Sequence, residues 1–167
     1  MKVILLMAMT VDGKIARNSH ELVDWTEKED KDYFIKITKE TGVMIMGSKT
    51  YDTIGKPLPE RKNIVMSRDP ERKSVAPDLI FTHREPEKII QELDAEGFEQ
   101  VALIGGSRIN SLFANKNLIT EVHVTVAPRL FGTGLSLFDQ PIDMELELIE
   151  NSSIGLNHIL LKYRVIQ

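Results

Sequence analysis

Cysteine is absent from this 167-residue chain, which excludes disulfides, thiol nucleophiles and cysteine-ligated zinc outright. Its four histidines, His20, His83, His123 and His158, stand far apart, without the short spacing of a metal-ligand motif, so no metal site is expected. Nowhere does an apolar run reach the roughly 18 residues that a membrane span requires. The apolar opening from Met1 to Thr10 is short and lacks a small-residue cleavage site, which argues against a signal peptide. Without an export signal, the Asn151-Ser152-Ser153 sequon carries no expectation of glycosylation. Basic clusters are missing too. With 21 Lys and Arg against 25 Asp and Glu, a net charge of -4 and a pI of about 5.6, the chain is a poor match for nucleic acid. No G-x-G-x-x-G follows the first apolar run, so the commonest dinucleotide fingerprint is absent. These absences leave a soluble cytoplasmic protein as the default.

What is present is the balance of a globular protein: 42% hydrophobic and 28% charged residues. One domain spanning residues 1–167 is expected, with enough chain to bury a core. Lys2 to Met9 reads as a strand buried on both faces. Thr26, with Glu29 three residues later, forms a capping-box pattern for a helix that Gly42 ends. Val43–Met46, Lys62–Ser67, Leu79–Thr82 and Gln100–Ile104 read as further strands. Helical patterns lie between them, from Ser48 to Ile54, from Pro86 to Gly97, and from Gly105-Gly106 to about Ala114. Ile119–Ala127, Glu145–Glu150 and Asn157–Val165 then follow as strands without helices. Strand–helix alternation first and strands last predicts an α/β fold, with a mostly parallel sheet covered by helices and antiparallel strands at its end.

Ligands of an open parallel sheet sit beyond the carboxyl ends of its strands. Three such ends carry glycines, hydroxyls and a cation: Gly47-Ser48-Lys49-Thr50, Ser67-Arg68 and Gly105-Gly106-Ser107-Arg108. Together they suit an anion such as phosphate, although Gly and Ser are common turn residues. A second feature is Asp30, inside the charge run from Glu27 to Asp32. A charge run is usually a solvated helix face, but helical spacing puts Asp30 on the same face as Phe34. A carboxylate turned inward needs a partner, and a hydrogen-bonding heterocycle would supply one. Met7, Met9, Met44, Met46 and Met66 read as core filler, and His123 as structural or exposed.

In this order the motifs resemble those of the dihydrofolate reductase superfamily over nearly the whole chain. Val11-Asp12-Gly13-Lys14-Ile15-Ala16 is similar to the start of the family's mobile loop, with Leu22 or Val23 as lid residue. Trp25, Asp30 and Phe34 resemble its substrate helix, and Gly47-Ser48-Lys49-Thr50-Tyr51 with Ile54 to Ile64 resembles its most specific signature. Met66-Ser67-Arg68 and Ile104 to Ile109 complete the likeness. The resemblance implies a dihydrofolate reductase-like fold with helices on both faces, and NADPH-dependent reduction of 7,8-dihydrofolate. It implies that Asp30 binds the pterin, supported by Thr125, and that Trp25 holds a water nearby. Leu6, Ala8, Lys31, Phe34, Ile54, Leu58 and Ile104 would surround the substrate, and Arg61 would pair with its glutamate carboxylate. Met7, Ala8, Ile15, Ala16, Gly47, Ser48, Lys49, Thr50, Met66, Ser67, Arg68, Ile104, Gly105, Gly106, Ser107, Arg108 and Ile109 would hold NADPH. The Gly105–Gly106 peptide would be cis. Asp12 to Ala16 and Val126 to Gly134 also resemble the pyrimidine reductase of riboflavin biosynthesis, where Lys31 or Arg129 would meet a substrate phosphate. A non-catalytic NADPH-binding relative is a third reading, and either a monomer or a homodimer fits.

Overall fold

Residues 1–166 are described by a computed structural model. Its strands are β1 (Lys2–Thr10), β2 (Lys14–Ala16), β3 (Val43–Gly47), β4 (Lys62–Met66), β5 (Leu79–Thr82), β6 (Gln100–Leu103), β7 (Glu121–Ala127), β8 (Leu135–Ser136), β9 (Glu145–Ile154) and β10 (His158–Ile166). Its helices are α1 (Lys28–Thr41), α2 (Ser48–Ile54), α3 (Pro86–Ala95) and α4 (Ser107–Ala114). The main sheet has eight strands in the order β5-β4-β3-β6-β1-β7-β10-β9. All neighbours from β5 to β7 pair in parallel, and β10 pairs antiparallel with both β7 and β9.

Alternation along the parallel strands divides the interior in two. Val3, Leu5, Val43, Ile45, Val101 and Leu103 face Ile89 and Leu93 of α3 and Phe113 of α4. Ile4, Leu6, Met44, Met46, Ala102 and Ile104 face Ile37 of α1, with Tyr33, Phe34, Tyr51 and Ile54 packed alongside. Helices therefore cover both faces of the sheet. Met44 and Met46 are fully buried, as core filler should be.

Three details depart from the sequence reading. The capping box does not form: α1 starts at Lys28 with Glu27 as its extended N-cap, and no side chain caps it. Tertiary contacts prevail, because Thr26 is buried on a cavity wall while the Glu27 N–H points to His158 Nε2 at 3.4 Å. Strand β9 continues past Glu150 to Ile154, where pairing with β10 orders a polar stretch of weak strand character. Strands β2 and β8 pair with each other in a separate ladder, too short to show a period in the sequence.

Candidate active site

Beside the α1 face of the sheet lies a cavity of about 340 Å³. Leu6 and Ala8 of β1, Phe34 of α1, Ile54, Leu58 and Ile104 give it an apolar wall. Asn18, Ser19, Glu21, Leu22 and Val23 close it from the loop after β2, so both candidate lid residues reach it. Two carboxylates line it. Glu21 is taken up by the Arg17 guanidinium and backbone N–H. Asp30 has no hydrogen bond or ion pair among the described residues. It sits in the first turn of α1, where the helix dipole favours negative charge.

Further along α1, Phe34 lies one turn from Asp30 and Thr38 lies two turns away. The Thr38 hydroxyl accepts a hydrogen bond from Arg61 Nη1, and Arg61 Nε donates to Pro59 O at 2.8 Å. Arg61 is only 6% exposed and has no ion pair among the described residues. Burial pulls its guanidinium below the usual value, and Glu60 only partly offsets this. A helix rises about 1.5 Å per residue, so Asp30 and the Thr38–Arg61 pair are separated by roughly 12 Å along α1. Arg61 is not itself part of the cavity lining. Thr125 lies on β7 beside Ala8, buried, and no hydrogen bond joins it to Asp30. Trp25 is buried edge-on against Phe131, ring centroids 5.3 Å apart, with its indole N–H unpartnered.

The expected cofactor residues divide between the cavity and the strand ends. Met7, Ala8, Ile15, Ala16, Thr50 and Ile104 line the cavity; Lys31, expected on the substrate side, stands at its exposed margin. Gly47 and Gly106 are the extended N-caps of α2 and α4, neither with a side-chain cap, so both helix starts present open N–H groups. The two glycine segments abut, with the Gly47 N–H donating to Gly105 O at 2.8 Å. The Gly105–Gly106 peptide is cis. A Cβ at Gly47 would stand 2.9 Å from Ile109, so that close approach requires glycine. Ser48 and Ser107 are half-buried beside these starts, while Lys49 and Arg108 reach solvent. At the end of β4, half-buried Met66 leads into Ser67, whose hydroxyl accepts the Asp69 N–H at 3.1 Å; Arg68 is exposed.

Sequence reading missed several parts of this site. Tyr33, three residues from Asp30, lines the cavity; helical spacing puts it on the inward stripe of α1 but does not mark it as part of a site. Thr26 was obscured by its capping pattern, yet it lines the cavity with an unpartnered hydroxyl. Asp12, read only as part of a loop signature, ties two loops together. It accepts the Thr10 hydroxyl at 2.5 Å and the N–H groups of Phe131 and Gly132 at 3.2 and 2.7 Å. Phe131 in turn carries the Arg17 guanidinium 3.9 Å above its ring.

The Thr10 hydroxyl, with those N–H groups, lowers the Asp12 pKa to about 2. A depressed acid stabilises the fold above its ordinary value of 3.8 and loses that contribution as pH falls through about 2. Amide-exchange protection at Phe131 and Gly132 should therefore decline across that interval, and should already be low at neutral pH in Asp12→Ala. Full protection in the variant would show that Asp12 does not hold the loop.

Residues 2–135 match the family model described as dihydrofolate reductase. The dihydrofolate reductase of Bacillus subtilis is 31% identical over 121 residues, covering 71% of this chain and 67% of that protein. That of Aedes albopictus is 24% identical over 160 residues, covering 88% and 83%. Among solved structures, Acinetobacter baumannii RibD superposes with a TM-score of 0.83 at 17% identity, covering 99% of this chain and 58% of that one. A pyrimidine reductase-like protein of Corynebacterium diphtheriae gives 0.79 at 17% identity, covering 99% and 92%. These two likenesses establish the shared fold. The sequence match over most of the chain goes further: the protein belongs to the dihydrofolate reductase family and is an oxidoreductase.

Proposed function

We propose that the protein reduces 7,8-dihydrofolate to 5,6,7,8-tetrahydrofolate with NADPH. One observation carries this reading: an unpaired carboxylate and a buried guanidinium without a counter-ion stand roughly 12 Å apart along α1, with the Phe34 ring between them. A substrate suited to that axis has a hydrogen-bonding heterocycle at one end and a carboxylate at the other. Dihydrofolate has both. A phosphorylated aminopyrimidine is shorter, and its phosphate would fall to Lys31, which lines the cavity, or to Arg129, which does not.

The strand ends fit a dinucleotide. Gly47 and Gly106 begin α2 and α4 with open N–H groups for a diphosphate, and Ser67, Arg68, Lys49 and Thr50 would hold the adenosine ribose and its 2′-phosphate. NADPH supplies the hydride when bound. Overall, C6 of the pterin gains that hydride, N5 gains a proton, and the N5=C6 double bond becomes single. Asp30 would accept from the pterin's amidine-like edge and so make the ring more electrophilic. Ala8, Ile54 and Ile104 keep water from the reacting faces.

Following NADPH absorbance on addition of dihydrofolate tests the reading. Substrate-dependent oxidation supports it. Cofactor binding without oxidation, together with turnover of the phosphorylated aminopyrimidine, would replace it with the riboflavin-type reaction. Cofactor choice provides a separate test. Removing an exposed cation from a phosphate costs a charge-assisted contact. Arg68→Ala should therefore lower the preference for NADPH over NADH by about tenfold, measured as the ratio of kcat/KM values. An unchanged ratio would put the 2′-phosphate elsewhere.

A further inference from the structure

Behind the cavity wall runs a chain of polar groups to which the reaction assigns no part. Tyr33 lines the cavity from α1, and its hydroxyl meets His123 Nδ1 on β7 at 2.9 Å. His123 Nε2 lies 3.2 Å from Glu121 Oε2, and the other Glu121 oxygen holds Lys2 Nζ at 2.9 Å. His123 is 6% exposed, so this is no chance surface contact. Lys162 of β10 sits 5.6 Å from the Tyr33 ring centre and is paired to Glu150 at 2.8 Å.

The partners fix the proton positions. Burial works to raise the Glu121 carboxyl, but Lys2 and His123 overcome it and keep Glu121 ionised. An ionised carboxylate only accepts, so His123 Nε2 must donate to it. Burial, against the pull of Glu121, holds His123 below its ordinary value, leaving the ring neutral at pH 7. Nδ1 is then an acceptor, and the Tyr33 hydroxyl donates. Burial, with Glu150, Glu40 and Glu121, pushes the phenol up and keeps it protonated. Each donor in the chain therefore has one acceptor, and α1 is fastened to β7 by a directed bond.

We infer that His123 is a positioning residue: through Tyr33 it holds the cavity face of α1, and with it Asp30, at a fixed rotation against the sheet. This rests on the reductase reading of the cavity, but it concerns a residue that never touches substrate. Tyr33 and Asp30 are three residues apart on one rigid helix, so a turn that releases the phenol also re-aims the carboxylate. Both α2 and α4, which carry the glycine N-caps, lie outside the tether.

Removing the acceptor should act on substrate rather than on cofactor. In His123→Leu, which is apolar and of similar bulk, KM for the reducible substrate should rise by about tenfold, the cost of one unsatisfied inner hydrogen bond. NADPH affinity should not change. His123→Asn places an oxygen near the Nδ1 position and should recover most of the loss, whereas His123→Gln places it near Nε2 and should not. Tyr33→Phe should match His123→Leu, and the double variant should be no worse than either. Where His123→Leu fails to fold, Tyr33→Phe removes a single oxygen and carries the same comparison. Wild-type turnover of dihydrofolate tests the substrate reading separately. The KM ratios are taken with dihydrofolate or, where only that is reduced, with the phosphorylated aminopyrimidine. Equal KM values for the Leu and Asn variants, or imidazole nitrogen shifts showing Nδ1–H in wild type, would overturn the tether.

Discussion

Asp30→Asn should lower kcat for dihydrofolate at neutral pH by about a hundredfold or more, the range for loss of a positioned acid–base group. The change is nearly isosteric, so packing of α1 against the sheet should survive it. What goes is the negative charge. An amide presents one acceptor oxygen and an NH2 where the carboxylate presents two acceptors, so the amidine-like edge of a pterin loses a charge-assisted pair. The effect should be confined to substrate chemistry. The Gly47 and Gly106 helix starts are on α2 and α4, and NADPH affinity, read by fluorescence titration, should remain at its wild-type level. Near-normal turnover in the variant would remove Asp30 from the reaction. Loss of both turnover and NADPH binding would instead point to a folding defect. A solvated charge on a helix face, by contrast, predicts no change at all.

The charge run by itself fits a solvated helix face equally well, which shows how far sequence alone can go here. Helical spacing was enough to pair Asp30 with Phe34, because one periodic element carries both. The two-layer α/β order was readable for the same reason: apolar runs of strand length alternate with helical stripes, and each layer needs the other to cover it. The site's remaining parts depend on contacts between distant segments. Arg61 stood in a recognisable signature, yet its lack of a counter-ion is visible only once Thr38 and Pro59 are found around it. His123 reads as structural or exposed because Tyr33, its partner on α1, lies 90 residues away along the chain, and the nearby Glu121 gives no sign of that contact. Thr26 misled in the opposite direction. Its local pattern was a good cap, and the β9–β10 hairpin overrode it by bringing His158 to the helix start. Strands β2 and β8 follow the two loops that Asp12 ties together, and no hydrophobic period records their pairing.

Arg61 offers the most direct discrimination among substrates. Replacing it with Leu should raise KM for dihydrofolate by on the order of a hundredfold, about 3 kcal/mol for a lost bidentate ion pair. Arg61→Lys should recover only part of this, because an ammonium keeps the charge but loses the fork that grips both carboxylate oxygens. Arg61 also bonds Thr38 and Pro59, so some general loosening of the α1 end is expected from either change. A dihydropterin without the p-aminobenzoylglutamate tail separates the two effects. It uses Asp30 and the hydride site but never reaches Arg61, so its kcat/KM should be nearly the same in wild type and in both variants. Selective loss of dihydrofolate would place a substrate carboxylate at the guanidinium. Equal losses for both substrates would mean that Arg61 serves only to hold Thr38. A buried cation would then have been kept without any anionic partner, an arrangement that burial makes costly. The same series bears on the riboflavin-type alternative: a substrate whose phosphate meets Lys31 should be indifferent to Arg61→Leu and sensitive to Lys31→Ala.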